Sequence, residues 1–212
     1  MIIVGAKGFA KEVLEIFHQT NELENLVFYD DVNSDLPIKL YSRFPILKTA
    51  SEAENFIKTT DNRFTIGIGG PILRKKLFDK FTLLGGQFFS TISPKCSIGH
   101  FGNSIAEGCN IMTGTVITND VTIGKGSLIN LNCTIGHDVV IGEFVELCPG
   151  VSISGNCNIG NQSFIGTNAT ILPNVSIGEN VVVAAGSVVI KDVPDNCMVA
   201  GTPAIIKKEL KL

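Results

Sequence analysis

The chain has 212 residues, 44% of them hydrophobic and 17% charged, with a formal net charge of −3. So near-neutral a balance excludes a strong electrostatic grip on nucleic acid or anionic lipid, and no apolar run approaches the ~20 residues that span a bilayer. Met1-Ile2-Ile3-Val4 meets Gly5 and Lys7 too soon to be a signal-peptide core, so the six cysteines are expected as reduced thiols in the cytoplasm.

Composition changes near residue 90. Ten of the 13 Phe lie before it and 15 of the 22 Gly after it. Two domains are expected, 1–90 and 91–212, the second ending in a short tail. In the first, Ile2-Ile3-Val4 reads as a strand and Phe9 to Phe17 as an amphipathic helix, with Ala10, Val13, Leu14 and Phe17 on one face. Leu26 to Tyr29 and Phe64 to Ile68 read as strands, and Ser51 to Ile57 and Ile72 to Phe81 as helices. Residues 32–44 give no element and read as a loop. Strands alternating with helices predict a small, Rossmann-like parallel α/β sheet. Such sheets bind ligands at the carboxyl ends of their strands, where Gly5, Asp30-Asp31 and Gly67 to Gly70 fall.

The second half is a repeat. From Ile105 to Val183 an aliphatic residue recurs at every sixth position through 14 sites, and four residues after each stands a small or β-branched one, from Cys109 to Ser187. Ile92 with Cys96 and Ile98 with Gly102 begin the pattern, before a one-residue slip. A period of six smears apolar residues around an α-helix, but it suits a triangular coil of three short strands, stacked at the ~4.8 Å strand spacing. A parallel β-helix follows. Cys96, Cys109, Cys133 and Cys157 fall in the small inward slot and read as core; Cys148 and Cys197 fall outside it with no metal-ligand spacing.

Residues that break outward from the coil are then legible. With three hexapeptides to a coil, Asn119, His137, Gly155 and Pro173 stack on one edge. His137 is followed by Asp138 and has the bare backbone of Gly155 one coil above, as expected where a thin ligand lies along the edge.

The segment Cys133-Thr134-Ile135-Gly136-His137-Asp138-Val139-Val140-Ile141-Gly142, with Asn130 before it, resembles the active-site coil of bacterial nucleotide-sugar acyltransferases. These include N-acetyltransferases of UDP-, dTDP- or GDP-linked 4-amino sugars and enzymes related to sialic acid O-acetylation. Ile3-Val4-Gly5-Ala6-Lys7-Gly8-Phe9-Ala10-Lys11, Phe28-Tyr29-Asp30-Asp31 and Ile68-Gly69-Gly70 with Arg74-Lys75 resemble the same family's nucleotide-sugar domain. Ala184 to Ser187, Lys191 to Pro194 and Gly201 to Ala204 resemble its closing segment. The resemblance implies a left-handed β-helix, a homotrimer with active sites between protomers, and acetyl-CoA as co-substrate without a metal. It makes His137 the general base that takes the proton of the attacking amine, with Asp138 orienting the ring. It places Asn130 by the sugar or acetyl group. Gly155, Ala185 and Gly186 are expected against CoA, the Gly155 N–H donating to the thioester oxygen. For the nucleotide sugar, Gly5 and Gly8 are expected to let backbone amides approach phosphate at a helix N-terminus, with Lys7 as a further phosphate contact, Gly69 is expected among the substrate-binding residues, and Asp30 and Asp31 are expected to accept hydrogen bonds from base or ribose. Acids in that position also serve as loop caps, Gly186 also suits a tight corner, and Tyr29 also suits the core.

The expected reaction is acetyl-CoA-dependent N-acetylation of a nucleotide-linked 4-amino-4,6-dideoxy sugar for bacterial surface glycan or glycoprotein synthesis. An O-acyltransferase acting on a sugar hydroxyl would need the same His137. A non-catalytic β-helix for assembly would need neither CoA nor His137. A β-helical metal hydratase would need three His on adjacent coils, and the chain has His18, His100 and His137 alone.

Overall fold

The computed structural model describes residues 1–210; the last two residues of the expected tail, 211–212, lie outside the described residues. All three side chains of β1 (Ile2–Val4) are buried. Consecutive buried residues require cover on both faces of the strand, the mark of a central parallel strand. On one side α1 (Gly8–Gln19) brings Ala10, Val13 and Phe17 into one cluster with Ile3 and Phe28. On the other, Ala53 and Ile57 of α2 (Ala50–Thr59) and Phe81 of α3 (Pro71–Leu83) join Ile2, Val4 and Tyr29. The start of α2 is set by a capping box: Thr49 Oγ1 accepts from the Glu52 amide at 3.2 Å, and Glu52 Oε2 accepts from the Thr49 amide at 3.0 Å.

The sheet also contains β2 (Val27–Tyr29), β3 (Lys39–Leu40), β4 (Phe44–Leu47), β5 (Arg63–Ile66) and β6 (Gln87–Phe88), in the order β3-β4-β2-β1-β5-β6. Here the expected loop at 32–44 is corrected, because it contains β3 and runs into β4, which pairs parallel to β2 with Phe28 opposite Ile46. The hairpin turn uses Tyr41 and Ser42 at φ +52° and +54°, a left-handed conformation that neither residue type announces.

The first β-helix strand is Thr91–Ile92. From there, two-residue strands fall in turn on three faces, so that Leu128–Ile129, Thr134–Ile135 and Val140–Ile141 make one coil. Strands 18 residues apart pair in parallel, as Thr134 with Ser152 and Ile135 with Ile153. The second residue of each strand points inward; from Ile111 to Val183 every one is buried, and so is every small-slot residue from Cys109 to Ser187. Each buried Ile contributes about 1.5–3 kcal/mol relative to exposure. At the start of the repeat the slip needs correction: Gly102 is exposed at φ +68°, and Asn103 takes the inward register, accepting from the Val121 amide at 2.8 Å. The extra residue therefore lies between Ile98 and Asn103. Beyond Val183, Cys197–Gly201 pairs parallel to Val182–Val183, and Ala204–Glu209 folds back antiparallel to it.

The α/β unit rests on the first face of the β-helix. Ile16 of α1 packs with Met112 and Leu128, Thr65 Oγ1 lies 3.0 Å from Thr91 Oγ1, and Phe78 meets Phe144 at 5.6 Å between ring centroids. Outward residues of that face, Asn110, Leu128 and Glu146, are accordingly buried, whereas Val116 on the second face and Val140 on the third are exposed.

Candidate active site

The expected site residues fall into three groups. The first lines the carboxyl edge of the sheet, where β1, β2 and β5 end together. Two adjoining lobes of about 230 and 260 Å³ open there and share Gly5, Asp30, Asn33 and Ile68. Gly5 has φ +106°, and a Cβ on it would lie 2.5 Å from Ile68 Cγ1, so only glycine fits. A Cβ on Gly8 would meet nothing within 4 Å, which leaves the first turn of α1 open to the cleft. Lys7 is the N-cap of α1 without a side-chain cap bond, and its Nζ pairs instead with the exposed Asp35 at 3.3 Å.

The two adjacent acids differ. Asp30 is buried and caps its own loop: Oδ1 accepts from the amides of Val32 at 3.2 Å and Asn33 at 2.9 Å, and Asn33 Nδ2 donates to both carboxylate oxygens at 3.0 Å. Asp31 is half-exposed, and its Oδ2 accepts from Tyr29 Oη and Lys80 Nζ, each at 2.7 Å. Burial alone would raise the Asp31 carboxyl, but these bonds hold it below the usual range. Tyr29 is core by its ring and part of this cluster by its hydroxyl. Asn33, Lys80 and Glu146, all placed at or against the cleft, are not marked by any motif. Asn33 lies in the segment that reads as a loop, and Lys80 reads as an ordinary helix-surface cation. Glu146 occupies a routine outward position of the repeat, yet it contacts Gly69: a Cβ on that glycine would come 3.0 Å from Glu146 Oε1.

The second group sits where the chain turns from the first face to the second. Asn130 follows Ile129 there, its Oδ1 accepting from the Leu131 amide at 2.8 Å, and Ala185 and Gly186 occupy the same corner three coils on. Gly186 has φ +67° with nothing within 4 Å of a Cβ built on it, so it is both a tight corner and open ground. This corner adjoins the cleft, since Leu131 and Phe9, from the first turn of α1, pack on the same small cluster.

The third group lies between the second and third faces. His137 and Asp138 are exposed, and His137 Nδ1 is 2.7 Å from Asp138 Oδ2. Asp138 has φ +57°, one of a series of left-handed corner residues that includes Asn132, Asn156 and Asn174. A Cβ on Gly155 would fall 2.6 Å from His137 Cε1 and 2.7 Å from Nε2, so the imidazole lies over that glycine. In a three-sided coil this corner is opposite the first face, which carries the α/β unit. One chain thus joins the cleft to Asn130 but not to His137.

The family described as PglD N-terminal domain matches residues 1–81, and the bacterial transferase hexapeptide (six repeats) matches residues 156–191. No curated protein matches the chain in sequence. Among solved structures, perosamine N-acetyltransferase from Caulobacter crescentus, a point mutant in complex with CoA and GDP-perosamine, is 28% identical with a TM-score of 0.90, over 98% of this chain and 96% of that one. The acetyltransferase domain of PglB from Neisseria gonorrhoeae, in complex with acetyl coenzyme A, is 28% identical with a TM-score of 0.88, over 97% and 98%. WeeI from Acinetobacter baumannii is 31% identical with a TM-score of 0.87, over 98% of this chain and the whole (100%) of that one. With family models matching at 1–81 and 156–191 and a solved relative 31% identical over 98% of its length, the chain belongs to the hexapeptide-repeat nucleotide-sugar acyltransferases.

Proposed function

We propose that this acyltransferase moves an acetyl group from acetyl-CoA to the amine of a nucleotide-linked 4-amino-4,6-dideoxy sugar, for bacterial surface glycan or glycoprotein synthesis. Residues 1–90 take the nucleotide sugar and residues 91–212 present the base. The observation that carries the reading is the His137–Asp138 pair, exposed on an edge where Gly155 leaves room for the ring. Asp138 engages Nδ1, which leaves Nε2 as the proton acceptor. The amine nitrogen attacks the thioester carbonyl carbon and forms the amide C–N bond. Its proton passes to His137 Nε2, the C–S bond breaks, and the departing thiolate takes the proton from the imidazolium. The Gly155 backbone N–H steadies the oxyanion.

Because the cleft and His137 occupy opposite sides of one prism, the reaction needs a second copy. A closed ring of three sets the cleft and the Asn130–Gly186 corner of one protomer beside His137 of the next, with the acetyl-CoA arm in the groove between them. Gly5, Lys7, Gly8 and Gly69 then face the diphosphate, and Asp31 faces base or ribose. The solved C. crescentus relative, with CoA and GDP-perosamine bound, supports a nucleotide-linked amino sugar as acceptor.

The test is release of CoA thiol from acetyl-CoA with UDP-, dTDP- and GDP-linked 4-amino-4,6-dideoxy sugars offered separately to wild type and His137→Ala. Release with one sugar, cut by about 10²–10⁴-fold in the variant, is the expected result. Release only with a sugar hydroxyl acceptor makes the protein an O-acyltransferase. No release and no CoA binding overturns the proposal.

A further inference from the structure

The floor of the cleft is the loop Gly67 to Gly70; the α/β unit that contains it holds Gly67 and Ile68, through the Val4 carbonyl and Arg74, and the β-helix holds Gly69 and Gly70 from beneath. Glu146, on the first face, accepts the Gly70 amide at Oε2 over 2.5 Å and is 7% exposed. Gly70 has φ +89° and is the N-cap of α3, and Pro71 after it has no N–H to offer. Behind the carboxylate lies Arg74, 0% exposed. Its Nη1 donates to the carbonyls of Ile66 at 3.2 Å and Ile68 at 2.9 Å, its Nε and Nη2 to the carbonyl of Gly126, and its Nη2 to Asn110 Oδ1 at 2.6 Å. Burial pushes this guanidinium down to about 10 while the Glu146 charge opposes the shift, so it stays a cation at neutral pH. A buried cation requires a counter-charge, and Glu146 supplies it without a direct hydrogen bond. Its Oε2 accepts from the loop, and its Oε1 accepts a long hydrogen bond from Cys148 Sγ at 3.9 Å.

We propose that Glu146 is a positioning residue for the nucleotide-sugar cleft, fixing Gly69 and Gly70 against the β-helix so that the loop presents one shape to the ligand. This rests on the function proposed above. The role is that of a hydrogen-bond acceptor from Gly70, with the charge serving Arg74. The substitution Glu146→Gln keeps the acceptor and loses the charge, whereas Glu146→Ala loses both.

The experiment measures binding of UDP, GDP and dTDP to the whole protein by calorimetry, together with KM for the nucleotide sugar and for acetyl-CoA. For Glu146→Ala the Kd of the preferred nucleotide and the KM of its sugar should rise about tenfold, the loss of one charge-assisted hydrogen bond. The KM for acetyl-CoA and kcat at saturation should stay within about twofold, as for a residue remote from the reacting atoms. Glu146→Gln should restore nucleotide binding to within about threefold while melting lower than wild type, because Arg74 is left uncompensated. If Glu146→Ala does not fold, Glu146→Asp keeps the charge for Arg74 but draws the acceptor back from the Gly70 amide, and should weaken nucleotide binding while leaving the KM for acetyl-CoA within about twofold. A folded Glu146→Ala that binds nucleotide as wild type does, or that weakens both substrates equally, overturns the inference and leaves the functional reading intact. Wild type that binds none of the three nucleotides overturns both.

Discussion

His137 Nδ1 and Asp138 Oδ2 stand 2.7 Å apart although their residues are adjacent in the chain. The left-handed φ of +57° at Asp138 puts its side chain beside the ring that precedes it. That conformation belongs to the repeat, and Asn or Asp occupies it at corner after corner. Asp138→Asn should therefore fold as wild type, since Asn tolerates the left-handed region equally well. In the proposed mechanism it loses the carboxylate that holds one tautomer and stabilises the imidazolium, so kcat should fall by about 10²-fold or more. Steady-state rates beside circular dichroism spectra check both halves, and an Asp138→Asn enzyme with wild-type kcat would remove Asp138 from the mechanism.

Gly155 offers a test of geometry alone. It does not need a glycine backbone, yet an added Cβ would sit 2.6 Å from His137 Cε1. Gly155→Ala should displace the ring by a fraction of an ångström to one ångström and lower kcat by as much as about 10²-fold. The coil has room to stay folded, because the methyl group points outward at the imidazole. A crystal structure of the variant should show the ring moved and the Asp138 bond lengthened.

The proposed placement of cleft and base on opposite sides predicts complementation between chains. His137→Ala removes the proposed base and leaves the cleft. Gly8→Asp leaves His137 but places a negative charge at the open first turn of α1, where the proposed reading puts the phosphate it would repel. Each variant alone should be nearly inactive. Denatured together in equal amounts and refolded, they should recover activity at about a quarter of the sites by random assortment in a heterologous ring. A mixture no more active than its parts would place cleft and base in the same chain.

Much of this arrangement is written in short-range pattern. The inward register from Ile111 to Val183 is legible because each strand sends one side chain to the core, so a single period marks both face and corner. His137 stands out against that period for the same reason. What sequence does not disclose depends on pairs distant along the chain. Arg74 and Glu146 serve one another across the junction of the two units, while the hexapeptide rule treats Glu146 as one more outward residue. The β3–β4 hairpin escapes notice because its turn uses Tyr41 and Ser42 where Asn or Gly would have announced it. The fate of Asp30 as a loop cap depends on Asn33, which lies in that same segment without a readable pattern.

The cysteines yield a prediction about alkaline stability. Burial pushes the thiols of Cys109 and Cys133 up to about 11 and that of Cys148 to about 12. Cys96, Cys157 and Cys197 are raised by the same cause. A thiol raised in the folded state binds its proton more tightly there than in the unfolded chain. Its contribution to stability is therefore complete below the ordinary value of 9.0 and is lost as pH climbs toward the folded value. Denaturant midpoints should hold steady from neutrality to about pH 8 and then decline above about pH 9. The core positions at 109, 133, 148, 157 and 197 should also resist a thiol reagent at pH 8 until the protein unfolds, since only the thiolate reacts. Rapid labelling of Cys133 in folded protein would contradict the inward slot assigned to it.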